Sequence, residues 1–521
     1  MVTPSTDRRR RTSALLGIAC TIALAPAASA ADWYVDANAA PGGNGSAASP
    51  FQTIGKALSS SVDGDRIFVA AATYGERIAV AASVTILCDR AGGTTLDAGG
   101  AGTAITIASG KSVWLQDLRV TGGLSSSTGG GILNSGSAVL VRCNVVNCSS
   151  VSYGIDASGG GIENDGSLLL WSCTVDSCAV EARPLIFPFT ICGNAAGGGI
   201  FNTGNLKIFD STISANQCYG EMYVARRRAD GGGIANGGSL RLVNATVSGN
   251  SCRAAIATCG GIWSSTTSVV IDHSTIAANG VLGHDLFGGG VAGVGGFGGS
   301  SARVGHSIFD QNGGWGDLPG AVGGDFAGTC DSLGYVLIFD DSGTTYTGDT
   351  TGMQKGVSAV LLALADNGGP VRTHALGPTS PCIDAGNPDA QASPPYDARG
   401  YPRALWDPAV GASDLGAYEA GSSPTYLLTA TPDVPLPAGA TLELVTGGGV
   451  AAKPVALTVV AMNGTPTFLP MLITTFDQSG VLVVVASVPS GLSGFATTLR
   501  SYSLDANDRV VVTPTVDVHF Q

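Results

Sequence analysis

Charged side chains are scarce in this chain of 521 residues: Asp, Glu, Lys and Arg together make up 12%, about half the share usual for a soluble domain. Aromatic residues reach only 6%, and there are 5 His and 5 Met. Basic residues are outnumbered, 26 Lys and Arg against 39 Asp and Glu, giving a net charge of −13. That sign argues against nucleic acid and anionic membrane surfaces as partners. After the N-terminal region no unbroken apolar run reaches the roughly 18 residues of a membrane-spanning helix. No Cys-x-x-Cys or His-x-His spacing points to zinc, so no metal site is assigned. Low charge does not mean disorder, because 44% of the residues are hydrophobic. The 77 glycines follow no strict Gly-X-Y triplet, which excludes collagen.

Residues 1–30 read as an export signal. Arg8 to Arg11 form a basic start, Ser13 to Pro26 an apolar stretch, and Ala28-Ser29-Ala30 a small-x-small cleavage site. The mature chain is therefore expected outside the cytoplasm, extracellular or on the outer cell surface.

A repeat organises the middle of the chain. GGGILNSGSAVLVRCNVVNC from Gly129, GGGIENDGSLLLWSCTVDSC from Gly159, GGGIFNTGNLKIFDSTISANQC from Gly197 and GGGIANGGSLRLVNATVSGNSC from Gly231 are clear copies. Looser copies begin at Cys259 and Gly288, and the starts lie about 30 residues apart. Each copy holds two short alternating strands punctuated by Gly and Asn. Such a unit cannot bury its apolar face alone, but stacked copies share one continuous core. Propeller blades need a longer period and leucine-rich repeats a tighter one, so a parallel β-helix fits best.

Stacking turns aligned residues into neighbours. Asn134, Asn164, Asn202 and Asn236 form one expected asparagine ladder, and Asn216, Asn250, Asn279 and Asn312 a second. Cys148 and Cys178 hold the second ladder's position in earlier coils. Cys143 aligns with Cys173 and Cys218 with Cys252. Coil spacing lies within the Cα separation of a disulfide, so Cys143–Cys173, Cys148–Cys178 and Cys218–Cys252 are expected as coil-to-coil staples, with a row of buried thiols as the competing reading.

Ahead of the repeats, within residues 31–63, Trp33 to Asp36 read as a strand and Pro50 to Leu58 as a short helix covering the open end. Residues 64–363 supply the coils. With LADNGGPVRTHALGPTSPCIDAGNP from Leu364, DARGYPR from Asp397 and DLGAYE from Asp414, the chain resembles the right-handed parallel β-helix (pectate-lyase-like) superfamily, and residues 364–424 resemble its choice-of-anchor Q closing segment. The resemblance implies an all-β, exported bacterial surface protein. Residues 425–521 alternate strongly and read as a small C-terminal β-sandwich, a sorting or glycan-binding module or one packed on the rod.

Two constellations could carry chemistry. One column places Arg142, Ser172, Asp210, Asn244, His273 and His306 in line, with Lys207, Arg241 and Arg303 in another. Both are expected to face solvent, since the columns between them are apolar. Asp210, Asp272, His273 and His306 are the residues a polysaccharide lyase or glycosidase would use, with calcium on carboxylates belonging only to that reading; no other cofactor is implied. Val270 to His273 resembles the aspartate–histidine strand motif of pectate lyases, but no arginine–proline motif or calcium aspartate cluster accompanies it. The second constellation lies in insertions that leave the repeat at one point. Phe187, Phe189, Tyr219 and Tyr223 with Arg226, Arg227 and Arg228, flanked by Arg241 and Arg303, would form a ligand-binding platform for polysaccharide. Lacking a complete catalytic set, the chain is expected to be a binding or adhesive protein. An enzyme is the first alternative and a structural envelope or matrix component the second.

Overall fold

The computed structural model describes residues 30–421, except short segments at 90–92, 186–191, 222–226, 284–290, 315–323, 389–393, 395, 402 and 404–411, together with strands between 441 and 519. Of the expected leader, residues 1–29 lie outside the described residues. The repeat region winds into a right-handed parallel β-helix with four strand faces. In one coil the chain passes through Ile132–Asn134 and Ser137–Val141 on the first face, Asn144–Val146 on the second, Ser149–Tyr153 on the third and Ala157–Ser158 on the fourth. The four faces contain 19, 11, 7 and 5 strands. The pairing is in register throughout the repeats: Leu140, Leu170, Ile208, Leu242, Ile271 and Val304 follow one another up the first face.

Those residues point inward and are at most 1% exposed. Val145, Val175, Ile213, Val247, Ile276 and Phe309 meet them from the second face, equally buried. The helix Ile54–Ser60, capped by Thr53, buries Ile54, Ala57 and Leu58 over the N-terminal end of the core. The Gly-Gly-Gly motifs allow the coils to approach closely. A Cβ on Gly160 would lie 2.4 Å from both Ala179 O and Gly198 O, so no side chain fits there.

Both ladders are present. In the first, each Nδ2 donates to the next Oδ1 at 2.6–2.7 Å, from Asn134 through Asn164 and Asn202 to Asn236. The second has a direction. Each asparagine gives both its backbone N–H and its Nδ2 to the Oδ1 of the next coil, while Nδ2 also reaches a carbonyl of the previous coil. Asp325 ends the series by accepting from Asn312 N at 2.9 Å and Asn312 Nδ2 at 2.7 Å. A carboxylate accepts without donating, so it closes a chain of donors and leaves none unmatched.

The cysteine columns are as aligned, but the expected disulfides are not present: Cys143, Cys173, Cys148, Cys178, Cys218 and Cys252 are all buried thiols. In-register inward side chains run parallel, so their Cβ atoms keep the coil spacing of about 4.8 Å. A disulfide needs them nearer 3.8 Å. The paired thiols hydrogen-bond to one another and also lie against carbonyls, Cys143 Sγ 3.4 Å from Leu115 O and Cys173 Sγ 3.3 Å from Leu140 O. Burial pushes the Cys143, Cys178 and Cys218 thiols well above their usual pKa.

After the last coil the chain turns back. The described residues between 358 and 421 run along the second face rather than across the end of the rod. Arg372 pairs with Asp176, His374 Nε2 lies 2.7 Å from Ser248 Oγ, and Ala417 N donates to Thr275 Oγ1. The footprint shows in the outward residues of that face. Asn144 is exposed and Thr174 partly so, but Thr212, Ser214, Thr246, Ser248, Thr275 and Ile308 are at most 2% exposed. Gly416, at φ +86°, is the tightest contact: a Cβ there would lie 2.6 Å from Thr275 Oγ1. The strands from 441 to 519 form two antiparallel sheets, one of Thr441–Thr446 with Leu482–Ser487 and one of five strands.

Two outcomes test this account. Asn279→Ala orphans the backbone N–H of Asn250 and one of its two Nδ2 hydrogens, the other staying on Ile213 O; an unpaired buried donor costs about 1–3 kcal/mol, so denaturant unfolding should register a loss of roughly 3 kcal/mol. An unchanged midpoint would show that the ladder does not hold the corner. Unfolded without reductant, the mature chain should be alkylated at all eleven of its cysteines from Cys88 to Cys382; protection in pairs would restore the staples.

Candidate functional site

The column containing Arg142, Ser172, Asp210, Asn244, His273 and His306 is not a solvated strand face. Each of these residues has a left-handed backbone, with φ between 45° and 53°, and forms the one-residue corner between the first and second faces. Asn, Asp and His adopt this region more readily than most residues. A corner side chain stacks on the corner of the next coil, and the returning segment covers the stack. His273 is 0% exposed, His306 5% and Asp272 7%, where solvent exposure had been expected.

Within it the two imidazoles stack, ring centres 4.2 Å apart and planes 14° from parallel, and His306 stacks in turn on Tyr335. Asp272, the last outward residue of its strand, places Oδ1 2.9 Å from His273 Nδ1 and 3.1 Å from His306 Nδ1. With the carboxylate as acceptor, both Nδ1 atoms donate to it. His306 Nε2 is buried with no hydrogen-bond partner. Burial drives His273 well below its usual range despite the neighbouring carboxylate, which favours a neutral ring. Burial alone would raise Asp272, but the imidazoles outweigh it through charge and hydrogen bonds and hold the carboxyl well below its ordinary value. The two N–H donors help to keep Asp272 ionised.

Two histidines and a carboxylate are also the donor set of a divalent transition metal. Imidazole lone pairs lie in the ring planes, however, and two nearly parallel planes about 4 Å apart share no point at ~2 Å from both nitrogens. The geometry suits a shared acceptor, a clamp rather than a metal centre.

Asp210 is not gathered into this group. It sits two corners back, accepting from Asn244 Nδ2 at 3.0 Å and Trp171 Nε1 at 2.9 Å, and burial raises its pKa to about 7. The returning segment seals the stripe with its own buried charges. Arg403, 1% exposed, donates to Asn244 Oδ1, Gly416 O and Glu419 Oε2, and Gly416 N donates to His306 O. Arg399 pairs with Asp397 and lies between the Tyr401 and Tyr418 rings. His273 and His306 both lie buried beneath the described part of this segment.

The loop side differs. Phe187, Phe189, Tyr223 and Arg226 lie outside the described residues. Tyr219 sits on the third face in register with Arg253, whose guanidinium lies 5.6 Å from its ring centre. Arg228, on the fourth face, lies 5.9 Å from the Trp263 ring and 3.2 Å from Asp230. Arg227 is half-buried beside it. Arg241 and Arg303 are on the first face, separated by Val270; Arg303 faces Asp331 at 3.6 Å. Arg253, Trp263 and the pair Tyr153–Arg183 carry no signal in the repeat, because their positions hold different residue types from coil to coil.

No protein-family model and no curated protein matches this chain. Among solved structures, that of pectate lyase Pel9A is similar at 15% identity, with a TM-score of 0.41, over 75% of this chain and 97% of that one.

The corner makes a signed prediction. A histidine whose folded pKa is depressed contributes stability that is complete above its unfolded value near 6.5 and is lost as pH falls below it. His273 and His374 are both depressed by burial. Between pH 7.5 and 5 each such proton lowers the denaturant midpoint with a slope of up to ~1.4 kcal/mol per pH unit, opposed by Asp210 and Asp414, which burial raises to about 7. His273→Asn, which suits the left-handed corner, removes one of the histidine contributions, so its stability should fall less, or rise more, than that of the unaltered chain as pH drops; an identical pH dependence would locate the proton uptake elsewhere. The corner is thus the covered part of the parallel β-helix.

Proposed function

We infer that this is an exported β-helix protein that binds polysaccharide through its loop side and does not cleave it. The observation carrying this reading is the contrast between two faces. The histidine–aspartate stripe, the best candidate for proton transfer, is buried beneath residues 358–421 and tied down by Gly416 N and Arg403. The Tyr219–Arg253 and Arg228–Trp263 pairs lie on the outer surface, where rings and guanidiniums can meet sugars. A general base must come within hydrogen-bond reach of the proton it removes, and a lyase using His273 would first have to displace the segment above it.

Residues 364–424 are taken as a closing segment of the choice-of-anchor Q type, and residues 1–30 as the leader that brings the chain to the cell surface. Among the described residues no helix is long and apolar enough to cross a membrane.

A polysaccharide panel presented to the mature protein, with and without calcium, should retain protein without generating unsaturated or reducing ends. Tyr219→Ala should weaken retention about tenfold, the loss of one stacking contact of ~1.4 kcal/mol. New ends that disappear in His273→Ala would instead make the protein an enzyme.

A further inference from the structure

On the basis of that reading, we propose that the third face carries a track for an uncharged polysaccharide, running along the rod across Tyr153, Arg183, Glu181, Tyr219 and Arg253. These residues alternate with Ser152, Val180, Ala182, Cys218 and Cys252, which face inward and are at most 1% exposed. The alternation aims the first set outward. Register then joins them across coils: Tyr153 lies beside Arg183, Glu181 beside Tyr219, and Tyr219 beside Arg253. Four consecutive coils thus present one continuous outer surface. Neighbours along it are about 4.8 Å apart, close to the length of one hexose unit, so a linear chain laid along the axis meets a new coil with each sugar.

The chemistry is that of ring faces and paired charges. The Arg183 guanidinium lies 5.7 Å from the Tyr153 ring centre and donates to its hydroxyl at 2.9 Å, fixing the ring from one side. Tyr153 nevertheless keeps 54% of its surface exposed, and Ile155 and Leu185, at 58% and 56%, extend the apolar area towards the loops. Sugars offer C–H faces to such surfaces.

The class of sugar follows from the charge balance. Arg183 is held by Glu181 at 2.6 Å, and on the adjoining fourth face Arg228 by Asp230 at 3.2 Å. An acidic polymer would find these guanidiniums already matched and would meet Glu181 as a like charge. An uncharged polymer gains from the same pairs, since an arginine and a carboxylate side by side supply a donor and an acceptor to neighbouring hydroxyls.

Native affinity electrophoresis of the full mature chain tests this, with gels containing hydroxyethylcellulose, galactomannan or polygalacturonate at low and high salt. An uncharged polymer should retard the protein equally at both salt levels. Tyr153→Ala and Tyr219→Ala should each weaken that retardation about tenfold, whereas Arg66→Ala, on the first face, should leave it unchanged. Retardation by polygalacturonate alone, abolished by salt, would overturn the uncharged class and leave polysaccharide binding standing. Retardation by an uncharged polymer that neither tyrosine variant alters would overturn the track. No retardation in any gel would overturn both the track and the broader reading.

Discussion

In-register hydrogen bonding between successive coils is the constraint on which this molecule depends. Every strand of the repeat finds its partners in the coil before and the coil after, so residues about thirty positions apart become neighbours at strand spacing. Columns therefore decide what each residue does. An apolar column becomes core and a glycine column lets backbones approach. An asparagine column saturates the corner that the backbone alone would leave with unmatched donors. Packing and polar satisfaction are solved once, in one coil, and then repeated.

The same rule explains which parts of the structure were legible in the sequence. The parallel β-helix, the capping helix and both asparagine ladders follow from repeat spacing, because a column's consequences are the same in every copy. The disulfides failed on a second-order detail. Alignment fixes the Cα separation of Cys143 and Cys173, but parallel Cβ vectors decide the bond, and alignment does not weigh them. The histidine stripe failed differently. Asp, Asn and His in one column before a threonine are a signal for a left-handed corner, yet strand alternation was extended through that position. Its burial could not be read from the repeats at all, since the cover comes from residues 358–421, over a hundred positions away from some of what they touch.

That returning segment changes the character of the rod. Solenoids usually leave their long faces open, and here one of them is closed by charges held internally: Arg403 with Glu419 and Arg399 with Asp397, all nearly inaccessible to water. Removing one partner of a buried pair costs far more than the pair contributes. The seal is therefore specific rather than adhesive, and it divides the surface into a face fixed by the protein's own chain and a face left for other molecules.

The second ladder also gives the rod a grammar of growth. Each coil from Asn216 to Asn312 presents the same acceptor to the coil before it and the same donors to the coil after it. A duplicated coil inserted anywhere in that stretch would satisfy its neighbours without any other change, whereas one added beyond Asp325 would meet a carboxylate with no proton to give. Length can thus evolve by copying from within, while the terminus stays put, punctuated by a single acidic residue.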